Sequence, residues 1–358
     1  MARIALDAMG GDFAPHAPVA GALQALEELG PEHSIVLVGR TEVVRQQLDE
    51  LLNGDLAHLR DASNRLEFHE APEVIEMTDR PSAALRGKPN SSMVVGTKLH
   101  ADGLADAFVS AGNTGAQMAA STVLLRLHPG LKRPAIATLF PTAREPVVVL
   151  DSGANVDCSP QELVQFARLG SVYAEYMLGR TDPVVGLLSI GEEAEKGDMV
   201  TKEANHLLSG GDAGVNFQGN IEGRDIPLGH SDRGDFDVVV CDGFVGNVLL
   251  KFYEGIAPMI VEMVGKHAGV GRPELERVFG QLDYSEHGGA PLLGVRGVSI
   301  ISHGRSSPRA IKNAIRVALR AVESRLSAHV GQRLAAAVPS VSDSSMDDSS
   351  SMATGGAA

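Results

Sequence analysis

The chain has 358 residues, of which 44% are hydrophobic, 21% charged and 40 are glycine; a chain this long buries about three quarters of the surface its unfolded form exposes, so it folds without disulfide or metal staples. That composition excludes wholesale disorder, a collagen repeat and a disulfide scaffold. A formal charge of −14 with no Trp and 4% aromatic residues excludes a generic nucleic-acid binder, which needs clustered cations and stacking rings.

In chain order, MARIALD meets an acid at Asp7, too early for the apolar core of a signal peptide. Short apolar runs of strand length follow: Arg3–Leu6, Ser34–Val38, Ala107–Val109, Ala135–Phe140, Val147–Leu150, Val184–Leu188, Asp237–Val240 and Val298–Ile301. Near-continuous rather than alternating apolarity is the mark of strands buried on both faces of a parallel sheet. Helical patterns lie between them. Pro18 is placed to open a helix bearing Ala22, Leu23, Leu26 and Leu29, and Thr41 to cap one bearing Val44, Leu48, Leu51 and Leu52. A helix is expected from Gln117 to Leu127, and Ser307-Pro308 is a cap and first turn for a stripe of Ile311, Ile315, Leu319, Val322 and Leu326. This alternation predicts an α/β fold with a parallel-rich sheet flanked by helices. No apolar stretch reaches the ~18 residues of a membrane span. The two cysteines, Cys158 and Cys241, form no CxxC pair, which fits a reducing cytoplasm and gives no metal signature. A single catalytic domain is expected over residues 1–330, with 331–358, rich in Ser, Asp, Gly and Ala, as a disordered tail.

The loops carry the chemistry. Four of the expected strands end in small and polar residues: DAMGGD (7–12), SAGNTGA (110–116), DSGANVD (151–157) and DGFVGN (242–247), the last with Lys251 one turn on. Loops beyond the carboxyl ends of parallel strands are where such sheets bind ligands, and four on one edge would line one cleft. The spacings match neither GxGxxG nor a P-loop, and a plain strand-to-helix turn is the alternative for each. Gly191–Gly197 offers Lys196 beside three glutamates, and Phe217–Gly223 offers Asn220 between glycines. His303-Gly304-Arg305-Ser306-Ser307 stands before Pro308, where helix dipole, free amides, a guanidinium and hydroxyls make an anion site. From Arg296 to Arg325 the local charge is +6, either a solvated helix face or a docking patch for an acidic partner. No GxSxG elbow or HExxH motif occurs, and neither cysteine sits in a nucleophile motif.

Eight ordered blocks, DAMGGD, SAGNTGA, LDSGANVD, IGEEAEKG, FQGNIEGRDI, DVVVCDGFVGNVLLK, GGAPLLGVRG and HGRSSPRAIKNAI, run from residue 7 to 315. Together they resemble the bacterial phosphate acyltransferase family, PlsX, over residues 4 to about 325. The resemblance implies a Rossmann-like fold related to phosphotransacetylases and isopropylmalate-type dehydrogenases. It implies transfer of a fatty acyl group from acyl carrier protein to inorganic phosphate, giving acyl phosphate that a membrane glycerol-3-phosphate acyltransferase uses in phospholipid synthesis. It further implies a homodimer with peripheral membrane contact and no cofactor or metal. Two positions depart from the family pattern: Val245 stands where Thr is usual, and Ser189 where Asn is usual.

On that reading the nucleophile is already anionic, and catalysis rests on positioning and oxyanion stabilisation. Lys196, His303 and Asn247 are the candidate catalytic residues. Gly10, Gly11, Asp12, Gly112, Asn113, Thr114, Asp151, Asn155, Asn220, Asp242, Lys251, Arg305 and Ser306 are the candidates for binding phosphate or acyl group. A helical hairpin near 251–271, with Ile256, Met259, Ile260 and Met263 at helical spacing, is either a core stripe or an apolar tip for lipid or the acyl tail. Rival readings are a short-chain transferase using acyl-CoA, a nicotinamide-dependent dehydrogenase, and a non-catalytic scaffold.

Overall fold

The computed structural model describes residues 1–211, 213–267 and 288–336. The chain runs β1 (Arg3–Asp7), α1 (His16–Glu28), β2 (Ser34–Gly39), α2 (Thr41–Asn53), β3 (Leu66–Glu70), α3 (Pro81–Gly87), α4 (Ser92–Ala101), β4 (Ala107–Ser110) and α5 (Thr114–Leu124). Next come β5 (Ala135–Ile136), β6 (Thr138–Phe140), β7 (Val147–Leu150), α6 (Pro160–Leu178), β8 (Val184–Ser189), α7 (Met199–Ser209) and β9 (Asn216–Glu222). The last stretch holds β10 (His230–Ser231), β11 (Gly234–Asp235), β12 (Val238–Val240), α8 (Gly243–His267), β13 (Ala290–Leu293), β14 (Ser299–Ile301), α9 (Pro308–Glu323) and α10 (Leu326–Ala336).

Two sheets result. The first has order β3-β2-β1-β4-β14-β13-β5 and the second β6-β7-β12-β8-β9, with β10 and β11 a separate hairpin. In the first, β3, β2, β1, β4 and β14 run parallel; β13 is antiparallel to both its neighbours. In the second, β7, β12, β8 and β9 are parallel and β6 antiparallel. The predicted run Ala135–Phe140 is therefore two strands. It divides at Ala137: Leu293 pairs with Ala135 in one sheet, and Phe140 pairs with Val147 in the other. The hexapeptide AIATLF has no Gly, Pro, Asn or Asp to signal a turn, so only the partner strands set the break.

Helices cover the sheets for legible reasons. Ser307 caps α9 by accepting from the Ala310 amide at 3.2 Å, and Ala310, Ile311, Ala314, Ile315, Ala318 and Leu319 are buried while Arg316 and Arg320 face out. The helix ends at Glu323, so Leu326 belongs to α10 instead. α1 lies against α9 at Gly21, where a Cβ would come within 2.6 Å of the Ile311 Cβ; only glycine permits that approach. α6 opens on a full capping box of Ser159 and Glu162 and stops at Gly179 with φ 72°. Thr41 is the first residue of α2 rather than its cap, and its amide is taken by Glu70 Oε2 at 2.9 Å. α5 begins at Thr114, three residues ahead of the expected Gln117. One apolar cluster runs through both sheets, with Ile4, Leu6 and Leu37 from the first, Val148, Leu150 and Val238 from the second, and Phe166 and Leu169 of α6 between them. α10 extends to Ala336, past the expected domain end near residue 330; residues 337–358 of the expected tail lie outside the described residues. Of the expected hairpin, residues 251–267 form one continuous helix, and 268–271 lie outside the described residues.

Candidate active site

The polar loops divide between the sheets instead of lining one edge. In the first sheet the loops after β1, β4 and β14 interlock. Asp7, fully buried at the end of β1, accepts from Ser110 Oγ at 2.8 Å and from the Met9 amide at 3.0 Å, and Ser110 Oγ accepts from the Gly112 amide at 3.0 Å. Burial pushes the Asp7 carboxyl above the usual carboxylate range despite these donors. A Cβ at Gly10 would stand 2.6 Å from Asp7 Oδ2 and 2.9 Å from the Gly112 nitrogen. Gly11 holds φ 100° against the Gly304 carbonyl, which accepts from the Asp12 amide at 2.7 Å. This junction needs glycine twice, once for space and once for its left-handed φ.

Two helices start at that junction. Asn113 caps α5, its Oδ1 accepting from Ala116 at 3.0 Å; the Thr114 and Gly115 amides precede the helix ladder, the position from which helix N-termini bind anions. Asn113 Nδ2 donates to the carbonyls of Glu76, Met77 and Asp79 at 3.1–3.3 Å. Its side chain thus ties the 76–79 turn over the junction, with Met77 beside Gly304. α9 starts from the third loop. There Ser306 is buried, and His303 and Arg305 are exposed, with His303 Nδ1 accepting from the Arg305 amide at 3.2 Å. Ser302 Oγ is buried with no hydrogen-bond partner among the described residues.

The second sheet presents a parallel arrangement. Asp151, fully buried at the end of β7, accepts through Oδ1 from Ile136 (3.0 Å) and Ala154 (3.1 Å), and through Oδ2 from the Asn155 amide (2.6 Å) and Nδ2 (2.9 Å). Burial raises this carboxyl too. Asn155 Nδ2 also donates to the Pro134 carbonyl at 2.8 Å, and its own carbonyl accepts from Gly243 at 2.8 Å. Asp242 begins α8, its Oδ1 taking the Val245 amide at 2.8 Å. One turn on, Asn247 is exposed, its Oδ1 3.4 Å from where a Cβ on Gly153 would lie. Lys251 sits on the outer face of α8 and pairs with Glu254 at 2.8 Å. In the neighbouring loop Lys196 is exposed, with no ion-pair partner among the described residues. Asn220 is fully buried and spent within the protein: Oδ1 accepts from Asn205 Nδ2 and Nδ2 donates to the Glu193 carbonyl, each at 2.8 Å.

Asp151 joins the two groups of loops, because Ile136 belongs to β5, an edge of the first sheet; Ser152 returns a bond from its amide to the Ile136 carbonyl at 3.0 Å. Ala154 packs on the same apolar cluster as Met118 of α5 and Ile301 of β14. Of the candidates, Asn113, Asp151, Asn155 and Asn220 are engaged by the fold itself, while Lys196, Asn247, His303 and Arg305 are exposed. Asp7 was not among the candidates. Its signal was the repeated Leu-Asp before a small-residue loop, at Leu6-Asp7 and Leu150-Asp151. Burial pushes the Cys158 thiol up to about 12 and that of Cys241 well above its ordinary value, so neither provides a thiolate. Val245 is half-buried against the cluster of Phe140, Val239 and Ile226. No group of three or more His, Cys, Asp or Glu is placed to hold a metal among the described residues.

The model of a family described as "Fatty acid synthesis protein" matches residues 2–329. A curated relative from Desulforamulus reducens, named "Phosphate acyltransferase", is 49% identical over 91% of this chain and 95% of its own length. The chain belongs to the phosphate acyltransferase family. A member from Pelotomaculum thermopropionicum is likewise 49% identical over 90% of this chain and 92% of its own, and one from Nostoc punctiforme 48% over 90% and 94%. Among solved structures, a phosphotransacetylase from Streptococcus pyogenes aligns over 90% of this chain and 94% of its own with a TM-score of 0.59 at 18% identity. The EutD phosphotransacetylase from Staphylococcus aureus gives 0.57 over the same shares, also at 18%. These distant matches bear out the expected fold: parallel-rich α/β, shared with phosphotransacetylases. No helix among the described residues is long and apolar enough to cross a membrane.

Proposed function

We propose that this phosphate acyltransferase moves a fatty acyl group from acyl carrier protein to inorganic phosphate, releasing acyl phosphate for phospholipid synthesis. The observation that carries the reading is the junction of the β1, β4 and β14 loops, where Gly10, Gly11 and Gly112 meet the N-terminus of α5. Backbone amides and two helix dipoles there suit a small dianion. His303, Arg305 and Ser306 complete the phosphate side, and Asn247 and Lys196 the side of the carbonyl and leaving group. A phosphate oxygen attacks the thioester carbon, a C–O bond forms, and the tetrahedral oxyanion is held by carboxamide and amide donors. The C–S bond then breaks, and the thiolate takes a proton from Lys196. Positioning contributes roughly 7–11 kcal/mol to such a reaction and each oxyanion donor roughly 2.7–4.

Two surfaces support the rest of the reading. Phe244, Val248, Phe252, Met259 and Met263 leave an exposed apolar stripe along α8, suited to the acyl tail or a lipid surface; of the expected stripe only Met259 and Met263 belong to it, since Ile256 and Ile260 are half-buried. This supports peripheral contact at the inner face of the cell membrane by a cytoplasmic homodimer, handing product to a membrane glycerol-3-phosphate acyltransferase. On α9, Glu28 takes Lys312 at 2.7 Å and Arg316 at 3.6 Å. Arg305 and Arg320 retain no ion-pair partner among the described residues and stay available to the acidic carrier. Purified protein with palmitoyl–acyl carrier protein yields acyl phosphate, read by mass spectrometry, only when phosphate is present; carrier binding without product would leave the scaffold reading in its place.

A further inference from the structure

We propose that Arg233 is a positioning residue for the transfer, acting as a bidentate clamp that fixes the loop carrying Lys196. The hairpin of β10 and β11 places Arg233 at its turn, beside the end of the second sheet. In that sheet Val185 pairs with Phe217 and Gly186 with Gly219, so Gln218 is an extra residue in β9. Such a bulge leaves a residue outside the ladder. Arg233 Nη1 donates to the Gln218 carbonyl at 2.9 Å, and Nη2 to the Glu192 carbonyl, in the loop after β8, at 2.8 Å. Gly219, at φ 111°, is what admits the guanidinium, since a Cβ there would collide with Nη1. A planar fork can hold two carbonyls at a fixed spacing, which a lysine ammonium cannot reproduce.

The next carbonyl of the loop is held as well. Glu193 accepts from Asn220 Nδ2 at 2.8 Å and from the Lys196 amide at 3.0 Å. At the far end Gly197 adopts φ 107° and Asp198 caps α7 through the Thr201 amide at 2.8 Å. The loop is thus pinned at positions 192, 193 and 198, while the Lys196 ammonium has no ion-pair partner among the described residues. A surface loop does not ordinarily require two side chains from different elements on consecutive carbonyls. The arrangement suits a loop whose one cation must stay in register with a reacting group. By the same geometry Asn220 acts through the loop instead of touching substrate.

The inference rests on Lys196 serving the transfer, so two readouts separate the claims. In Arg233→Met, kcat falls about 100-fold, the scale of a misplaced catalytic group; KM for phosphate holds, because the phosphate junction belongs to the other sheet, and the melting temperature barely moves. Arg233→Lys recovers only part of the rate, and added guanidinium restores Arg233→Met. Gly219→Ala gives the same kinetic signature, and the double variant is no slower than either single one. Independently of turnover, hydrogen exchange at amides 192–197 and amine labelling of Lys196, both read by mass spectrometry, speed up in Arg233→Met. Wild-type kcat in Arg233→Met, or exchange and labelling unchanged from wild type, would overturn the proposal. Full turnover in Lys196→Ala would remove the assigned role of Lys196, and with it the catalytic half of the inference, while the exchange measurement still decides whether Arg233 clamps the loop.

Discussion

Replacing Asp151 with Asn tests whether a buried carboxylate organises the second group of loops. Each carboxylate oxygen accepts two donors, Ile136 and Ala154 on one side and the amide and side chain of Asn155 on the other. Asn keeps one oxygen and turns an NH₂ toward two N–H groups on the other, so two hydrogen bonds to a charged acceptor are lost whichever way it settles. At about 1.5–3 kcal/mol each, the loss is about 3–6 kcal/mol. Removing a charge whose burial outweighs its donors, as the raised carboxyl shows, returns part of that. The net cost is about 2–4 kcal/mol, and at roughly 1.5 °C per kcal/mol for a folded region of this size the melting temperature drops about 3–6 °C. Asn155 hangs on this carboxylate and Gly243 on the Asn155 carbonyl, so acyl phosphate formation falls together with the melt. Calorimetry and the phosphate-dependent assay on one preparation read both. A melt within about 1 °C of wild type, with full turnover, would refute the argument that this carboxylate holds the loop.

Three further outcomes are expected. Gly11→Ala forces an alanine to φ 100° with its Cβ 3.0 Å from the Gly304 carbonyl; strain of about 1–3 kcal/mol at the junction raises KM for phosphate tenfold or more, and unchanged phosphate saturation kinetics would remove the junction from the site. Asn113→Ala loses the α5 cap and the two Nδ2 hydrogens shared among three carbonyls of the 76–79 turn; it costs about 2–4 kcal/mol by chemical denaturation and speeds proteolysis within residues 72–90. Asp7 ionises near 3.8 when unfolded, and burial raises it in the fold; the native state then holds its proton more tightly, so stability from this group is full below pH 3.8 and declines as pH rises toward the folded pKa. The unfolding free energy of wild type minus that of Asp7→Asn accordingly shrinks with rising pH, and a difference that grows would contradict the assignment of burial as the dominant cause.

Much of this protein is local in origin and so could be read from its residues. Apolar runs such as Ile4–Leu6 and Val147–Leu150 became central strands because continuous apolarity has no stable place except between two covered faces. Ser307-Pro308 began a helix because a side-chain cap and a fixed φ act within a few residues. Gly-rich strand ends could be read as candidate loops because turn geometry and helix N-termini are likewise local. Nothing local separated Ala135–Ile136 from Thr138–Phe140; their partners, Leu292–Leu293 and Val147–Val149, lie far along the chain or in another sheet. β3 and β9 escaped notice because LEFHE and NFQGNIE carry polar residues that an edge strand tolerates. The distinction between Asn220, spent on Asn205 and Glu193, and Asn247, open to solvent, is invisible in two similar Gly-Asn contexts. So are the burial of Asp7 and the reach of Arg233 to two carbonyls. Hydrogen-bond partners and burial depend on which distant segments share a volume, and that is fixed only when both sheets close on their common core.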